Sequence, residues 1–523
     1  MRRIVLALGA GVAMAAAHPV PVAAQVPVAD AREITVDVRT PTKPRDRMAQ
    51  FSIGADFPGT LIREDSLAQL STVQKELRFR YIRFHHVFAD QLGTYREVDG
   101  KPVYDWTRID SLYDRLLGMG LKPFVELGFT PHAMRQSDQT IFYWKGNTSH
   151  PQPEKWIALV DAFVRHMIAR FGADEVRSWY FEFWNEPNLD GFWEKADQAA
   201  YFDYYGRTAR VIKAIDPALR IGGPSTAGAA WVPEFLRYAR TKDLPVDFVT
   251  THTYGVEGGF LDEKGEGDNK LSRNPDAVVQ DVRRVRGEIE NSHRPGIPLF
   301  FTEWSTSYNP RDPIHDDYMS AAYILSKLRR TEGVAQGMSY WTYSDLFEEP
   351  GPQNKPFEGG FGLMTPQGIR KAAWFAYKYL AELADRELPV ADDQSIVTLR
   401  GDTVQMLAWR DVLPDQQVSN RPFFTKKRPP AATQPVTMKI IGLKPGSYRL
   451  RLRRTGYQHN DAYTAYLGMG RPATLDAKQL ARLRAMTTDR AGTSNVAVRA
   501  DGVAHVTLTL RDHDVVMAEL MRR

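Results

Sequence analysis

From residue 51 to residue 383 one pattern repeats: an apolar run of strand length, a turn, then an amphipathic stretch of helical period. The strand-like runs are 51–57, 81–86, 122–127, 178–186, 220–223, 247–252, 299–303 and 336–343. Helical patterns lie at 66–77, which opens on a Ser cap, and at 106–119, 153–171, 198–215, 276–290, 317–331 and 369–383. Eight strands alternating with helices over this length predict an α/β fold, a (β/α)8 barrel. A doubly wound open sheet shows the same alternation. It more often carries a Gly-rich phosphate turn after its first strand, and Phe57-Pro58-Gly59-Thr60 is not one. A barrel places functional residues at the C-terminal ends of its strands. His85, Asn185, Glu186, His252, Tyr254 and Glu303 fall there.

Two of these strand ends share a form. The run 178–186 is aromatic and nearly free of polar residues until Asn185 and Glu186, and Pro187, which cannot donate to a ladder, ends it. A carboxylate held beside indole rings is partly desolvated, which raises its pKa and suits it to act as an acid. The run 297–310 repeats the arrangement around Glu303. In a barrel the ends of strands four and seven face each other across one mouth. Two carboxylates opposed across a pocket are the machinery of glycoside hydrolysis, one protonated and one ionised. In a period-two strand only one of His85 and His86 faces the mouth, and His85 is taken as that one. Glu182 shares the face of Glu186 one layer deeper and reads as a buried partner for an Arg or Lys. Trp184 and Trp304 read as packing that also walls the pocket.

The chain resembles glycoside hydrolase family 39, the β-xylosidase and α-L-iduronidase family. Residues 123–129 and 142–147 are similar to the family's third-strand region, 181–189 to its acid/base segment and 302–310 to its nucleophile segment. Residues 339–349 and 359–363 resemble its eighth-strand loop. The resemblance implies that Glu186 is the general acid/base and Glu303 the nucleophile of a retaining enzyme, with the carboxyls about 5–5.5 Å apart. It further implies that Asn185 holds the sugar 2-hydroxyl and that His252 and Tyr254 orient Glu303 or contact the glycone. His85 would bind sugar hydroxyls, Glu348 and Glu349 would contact the glycone as a pair, and Trp341 would supply the platform under the ring. The expected activity is an exo-acting β-xylosidase acting on xylo-oligosaccharides. The glycone stays open: α-L-arabinofuranose, a uronic acid or an exopolysaccharide unit fits the same machinery. A non-catalytic carbohydrate-binding barrel is the alternative of another class.

The rest of the chain sets limits. Basic and acidic residues, 68 and 63, are interspersed, and a net charge of +5 leaves no nucleic-acid footprint. There is no cysteine, which removes disulfides, thiol nucleophiles and Cys-based zinc sites. The histidines lack zinc spacing, the acidic Gly-rich loop 255–269 does not fit an EF-hand, and 222–228 lacks the Lys-Ser/Thr ending of a phosphate loop. No metal or cofactor is expected. Met1-Arg2-Arg3 and the apolar run 4–17, followed by Val22-Ala23-Ala24, have the layout of a secretory signal over 1–24, cleaved near Ala24, for a periplasmic or extracellular protein. That run is too short for a permanent membrane span. Residues 25–47 form a strand (33–38) and connector, 48–384 the barrel, and 385–523 an accessory β-sandwich with which the early strand is expected to pair. The sandwich strands are 395–399, 403–409, 436–441, 447–452, 495–498 and 504–510, with a helix at 477–484 and a polar loop at 415–434. Oligomeric state is not fixed by the sequence, and a homo-oligomer is open.

Overall fold

Eight parallel strands close on themselves in chain order: β1 (Ser52–Gly54), β2 (Tyr81–Phe84), β3 (Lys122–Leu127), β4 (Tyr180–Phe183), β5 (Ile221–Thr226), β6 (Phe248–Tyr254), β7 (Leu299–Ser305) and β8 (Gly337–Tyr340). The structure, a computed structural model, describes residues 31–523, so the expected export signal lies outside the described residues. A helix follows each strand: Glu64–Leu77, Thr107–Gly118, Pro153–Phe171, Gln198–Ile215, Val232–Thr241, Val279–Glu290, Ser320–Thr331 and Ala372–Glu382. The eightfold alternation is therefore the predicted (β/α)8 barrel. The helix Val232–Thr241 was not anticipated. Ser66, expected as a cap, lies inside the first turn of Glu64–Leu77, where its hydroxyl meets that of Tyr343.

Side chains fill the barrel in layers because strand residues two apart share a face. Phe51, Tyr81, Phe124, Tyr180, Phe248 and Phe300 form an aromatic plug at the N-terminal end. Two residues further along β2, β3, β4 and β7 the interior turns polar. Arg83, Glu126, Glu182 and Thr302 occupy this layer and bond to one another. The site lies above it. The aromatic plug shuts water out from below, so these ions are buried and must pair.

Beyond the barrel, Arg32–Asp37 runs parallel to Thr433–Ile441, which pairs antiparallel with Ala504–Arg511. A seven-stranded sheet faces them, in the order Lys43–Pro44, Arg386–Leu388, Ser395–Arg400, Thr403–Trp409, Val515–Arg522, Gly446–Thr455 and Ala491–Val498. The two sheets share one apolar core that includes Ile34, Val36, Met406, Met438, Val506 and Ala518. The opposite face of the large sheet packs on the barrel: Ile396, Leu407, Trp409, Val515 and Met517 belong to the barrel's apolar cluster. The loop 255–269 is a hairpin, Val256–Leu261 with Gly267–Leu271, and the polar loop 415–434 contains the short helix Asn420–Phe424. Among the described residues no helix is long and apolar enough to cross a membrane.

Candidate active site

Arg83, in the middle of β2, ties the site together. It is wholly buried and its guanidinium fans out to four elements. Nε donates to Glu182 at 2.5 Å, Nη1 to Glu303 at 2.8 Å, and Nη2 to Asn185 Oδ1 at 2.8 Å and Ser225 Oγ at 3.3 Å, with Glu126 Oε2 2.9 Å away. Burial works against its charge, and the carboxylates of Glu182, Glu126 and Glu303 outweigh burial. Arg83 is thus the buried cation that Glu182 required.

The two strand-end carboxylates meet where expected, but strict alternation does not deliver them. Thr302 already points inward, donating to Glu182 Oε1 at 2.8 Å. Its neighbour Glu303 also points inward because the ladders on both sides of β7 slip there, between Thr251 and His252 and between Phe301 and Trp304. On β4 the chain leaves the strand through Trp184 and Glu186, whose φ angles of 66° and 47° are left-handed and disfavoured for such side chains. The Glu186 amide then donates to Ser225 O at 2.7 Å on β5. An oxygen of Glu186, an oxygen of Glu303 and a ring nitrogen of His252 all lie within 4.8 Å of one another.

Their surroundings differ. Glu303 receives Arg83 N–H on Oε1 and the Tyr254 hydroxyl on Oε2 at 2.8 Å, both of which stabilise negative charge. Glu186 has His252 Nδ1 2.9 Å from Oε1, and burial pushes its carboxyl up to about 7, opposed by the charges of His85 and Arg83. Burial likewise holds the His252 imidazole down at about 4, so the ring beside Glu186 is neutral. His252 thus contacts Glu186 more closely than Glu303, which is 3.7 Å from it. Glu186, His252 and Glu303 are donor types that suit a divalent cation. Both oxygens of Glu303 are, however, already engaged by Arg83 and Tyr254.

His85 faces the mouth, while His86 turns away, accepts from the Phe129 amide at 2.9 Å and stacks on Trp144. Burial opposes protonation of His85, but Glu126, 2.7 Å from Nδ1, and Glu349, 3.2 Å from Nε2, hold its pKa well above the ordinary imidazole value. Burial pushes Glu349 up to about 8, tempered by His85. Trp341 is buried, its ring centroid 4.7 Å from that of His85. The implied pair of Glu348 and Glu349 is divided: Glu349 faces His85, whereas Glu348 receives Arg63 Nη1 at 2.9 Å outside the cavity lining. Neighbouring side chains of one loop diverge, and the backbone between them is tied down. The Glu348 amide donates to Asp56 and the Tyr143 amide to Glu349 O, both at 2.7 Å. Trp184 and Trp304 pack fully buried and do not line the pocket, contrary to expectation.

Arg83, Asp56 and Thr302 escaped notice in the sequence. Arg83 left one signal: a charge in an apolar strand, in phase with His85. Above the site opens a cavity of about 840 Å³, lined by Phe142, Glu186, Leu189, Tyr254, Tyr308 and Glu349 among others, with no Lys or Arg in its lining. The acidic hairpin holds no free carboxylate cluster at Asp262 and Glu266, since Arg421 binds both.

A (β/α)8 barrel that sets two carboxylates across its mouth, one buried and raised, is the architecture of a glycoside hydrolase. Residues 32–505 match the family model described as glycosyl hydrolases family 39, and the chain belongs to that family. A β-xylosidase of Geobacillus stearothermophilus is 34% identical over 500 residues, 92% of this chain and 95% of that protein. A solved structure described as a monomeric β-xylosidase from Caulobacter crescentus CB15 is 62% identical, with a TM-score of 0.92 over 94% of this chain and all 100% of that one. The family 39 enzyme from Xanthomonas axonopodis pv. citri is 57% identical, also with a TM-score of 0.92, over 95% and 98% of the two chains.

Proposed function

We propose that the protein is an exo-acting, retaining β-xylosidase that releases xylose from the non-reducing ends of xylo-oligosaccharides. The observation that carries this reading is the closeness of Glu186 and Glu303, with oxygens within 4.8 Å, in unlike surroundings: burial raises the Glu186 carboxyl, while Arg83 and Tyr254 donate to Glu303. Inverting enzymes hold their carboxyls roughly 6.5–9.5 Å apart to admit a water between them. In the first step an oxygen of Glu303 attacks the anomeric carbon, the bond to the aglycone oxygen breaks, and the Glu186 proton passes to that oxygen. In the second, Glu186 takes a proton from water as the water oxygen displaces Glu303. Asn185, oriented by Arg83, is placed to meet the 2-hydroxyl, and the buried Trp341, His85 and Glu349 close the glycone side, the form suited to chain ends.

The xylosyl glycone is supported by the relatives described as β-xylosidases. Against a uronide, the cation on the glycone side, His85, is already paired with Glu126 and Glu349, the cavity lining carries Glu186, Asp281 and Glu349 but no Lys or Arg, and Arg311 donates to Gly351 O and lines a neighbouring cleft. Export follows from the layout of the first residues and is checked by N-terminal sequencing of the secreted protein. A panel of 4-nitrophenyl glycosides, with the first-formed anomer read by NMR, tests the whole reading. Preferred β-xyloside cleavage with retention is expected; inversion, or preference for an arabinofuranoside or uronide, overturns it.

A further inference from the structure

The loop that follows β8 carries Glu349, and it is held at its base and at its tip by different groups. At the base, Lys371 lies 2.7 Å from Asp316 and 2.6 Å from Asp345, and the Gly362 amide donates to Asp345 at 2.7 Å. At the tip, the Glu348 amide donates to Asp56 Oδ2 at 2.7 Å, the Tyr143 amide to Glu349 O at 2.7 Å, and Arg311 to Gly351 O at 2.6 Å. Resting on the proposed β-xylosidase reading, in which Glu349 closes the glycone side, we infer that Asp56 is a positioning residue for glycone binding. It fixes the backbone at Glu348 so that the next side chain, Glu349, meets His85.

Asp56 follows β1 at the mouth of the barrel. It is 3% exposed and does not line the cavity, so it acts through its partners. Both carboxylate oxygens are committed. Oδ1 accepts from the Trp144 indole at 3.1 Å, and Oδ2 accepts from the Glu348 amide, with the Thr60 hydroxyl 3.2 Å away. Trp144 is itself anchored, stacking on Phe57 and on His86 with ring centroids 4.5 Å and 5.8 Å apart. The backbone of Asp56 is tied as well, since the His85 amide donates to Asp56 O at 2.8 Å. One residue thus joins the strand that carries His85 to the loop that carries Glu349, and the two side chains meet at 3.2 Å. Burying a carboxylate is costly, and an apolar contact would close a loop without that cost. An acceptor in a fixed place does something an apolar contact cannot, which is to aim one amide. The bonds at Glu348 N and Glu349 O bracket the Glu349 Cα and limit where its side chain points.

In Asp56→Asn one oxygen becomes an amide nitrogen, which turns a donor toward Trp144 or Glu348 and loses that bond. Its kcat/KM on 4-nitrophenyl β-D-xyloside should fall about tenfold, and that of Asp56→Ala further. Rates are taken per folded molecule, measured by circular dichroism. The deciding readout is a double-mutant cycle with Glu349→Gln. A residue that acts through Glu349 has little left to lose once Glu349 is changed, so Asp56→Asn should cost less than about twofold in that background. A merely structural role would give the same loss in both backgrounds. That result, or wild-type kcat/KM in Asp56→Ala or in Glu349→Gln, overturns the inference while leaving the β-xylosidase reading intact. A wild-type enzyme that leaves the β-xyloside uncleaved overturns that reading, and the inference with it.

Discussion

A carboxyl group that donates a proton near neutral pH must be lifted from the ordinary 4.5, and burial lifts Glu186 to about 7. On the proposed acid role, below that pH it carries the proton it would give; as pH rises through about 7 the acid form is lost. The high-pH limb of kcat/KM for alkyl xylosides should therefore fall about tenfold per unit above about 7. Glu186→Ala should lose about 10²–10⁴-fold on alkyl xylosides and far less on dinitrophenyl xylosides, whose leaving group needs no proton. Equal losses on both would contradict the acid role. Arg83 acts through its neighbours. Arg83→Lys keeps a charge but cannot span Glu182, Glu303 and Asn185 at once. A kcat lower by about 10²-fold, with the fold intact by circular dichroism, is expected from misplaced groups; wild-type kcat would deny it a positioning role. The two carboxylates were legible in the sequence because each ends an apolar strand. Arg83 was not, since what makes it important is a set of partners from β3, β4, β5 and β7 that no local pattern contains.

Backbone irregularities aim the site. Glu303 shares an inward direction with Thr302 only because the ladders slip beside it, and Glu186 follows a left-handed Trp184. Such features arise from pairing with neighbouring strands, so period-two reading located the strand ends without explaining their aim. On β1, Gly54 packs against the Trp341 indole, and a Cβ there would come far inside van der Waals contact of its Cε3. Gly54→Ala should displace the indole proposed as the platform, lowering kcat/KM and costing about 1–3 kcal/mol of stability. Denaturant unfolding together with kinetics checks this, and wild-type values in both would show that the ring is not held there. The missed helix Val232–Thr241 carries its apolar residues at Val232, Phe235, Leu236 and Ala239, a helical spacing. Pro233 reads as a breaker, although in the first turn it is compatible with a helix. The missed strand Val515–Arg522 shows no alternation because one face packs in the sandwich and the other on the barrel.

At the scale of the molecule, sandwich and barrel share a core. Along Thr403–Trp409, Val404, Met406 and Ala408 enter the sandwich while Leu407 and Trp409 enter the barrel cluster, and the Trp409 indole donates to Ser326 at 2.8 Å. The sandwich also reaches the site wall. Asn420 and Arg421 bind Leu271 and Asp268 of the hairpin, and Asn269 of the same hairpin holds Tyr308. The two parts should therefore unfold in one transition, and Trp409→Ala should cost about 3–5 kcal/mol. Calorimetry showing two separate transitions would contradict the shared core. The early strand Arg32–Asp37 takes its place at the edge of the small sheet, parallel to Thr433–Ile441. All of this structure serves to hold β4 and β7 so that their terminal carboxylates face each other. The most direct test is to trap the glycosyl-enzyme with dinitrophenyl 2-deoxy-2-fluoro-β-D-xyloside and sequence the labelled peptide by mass spectrometry. A fluoroxylosyl ester on Glu303 is the predicted result; an ester on any other residue, or rapid turnover through no covalent adduct, would contradict it.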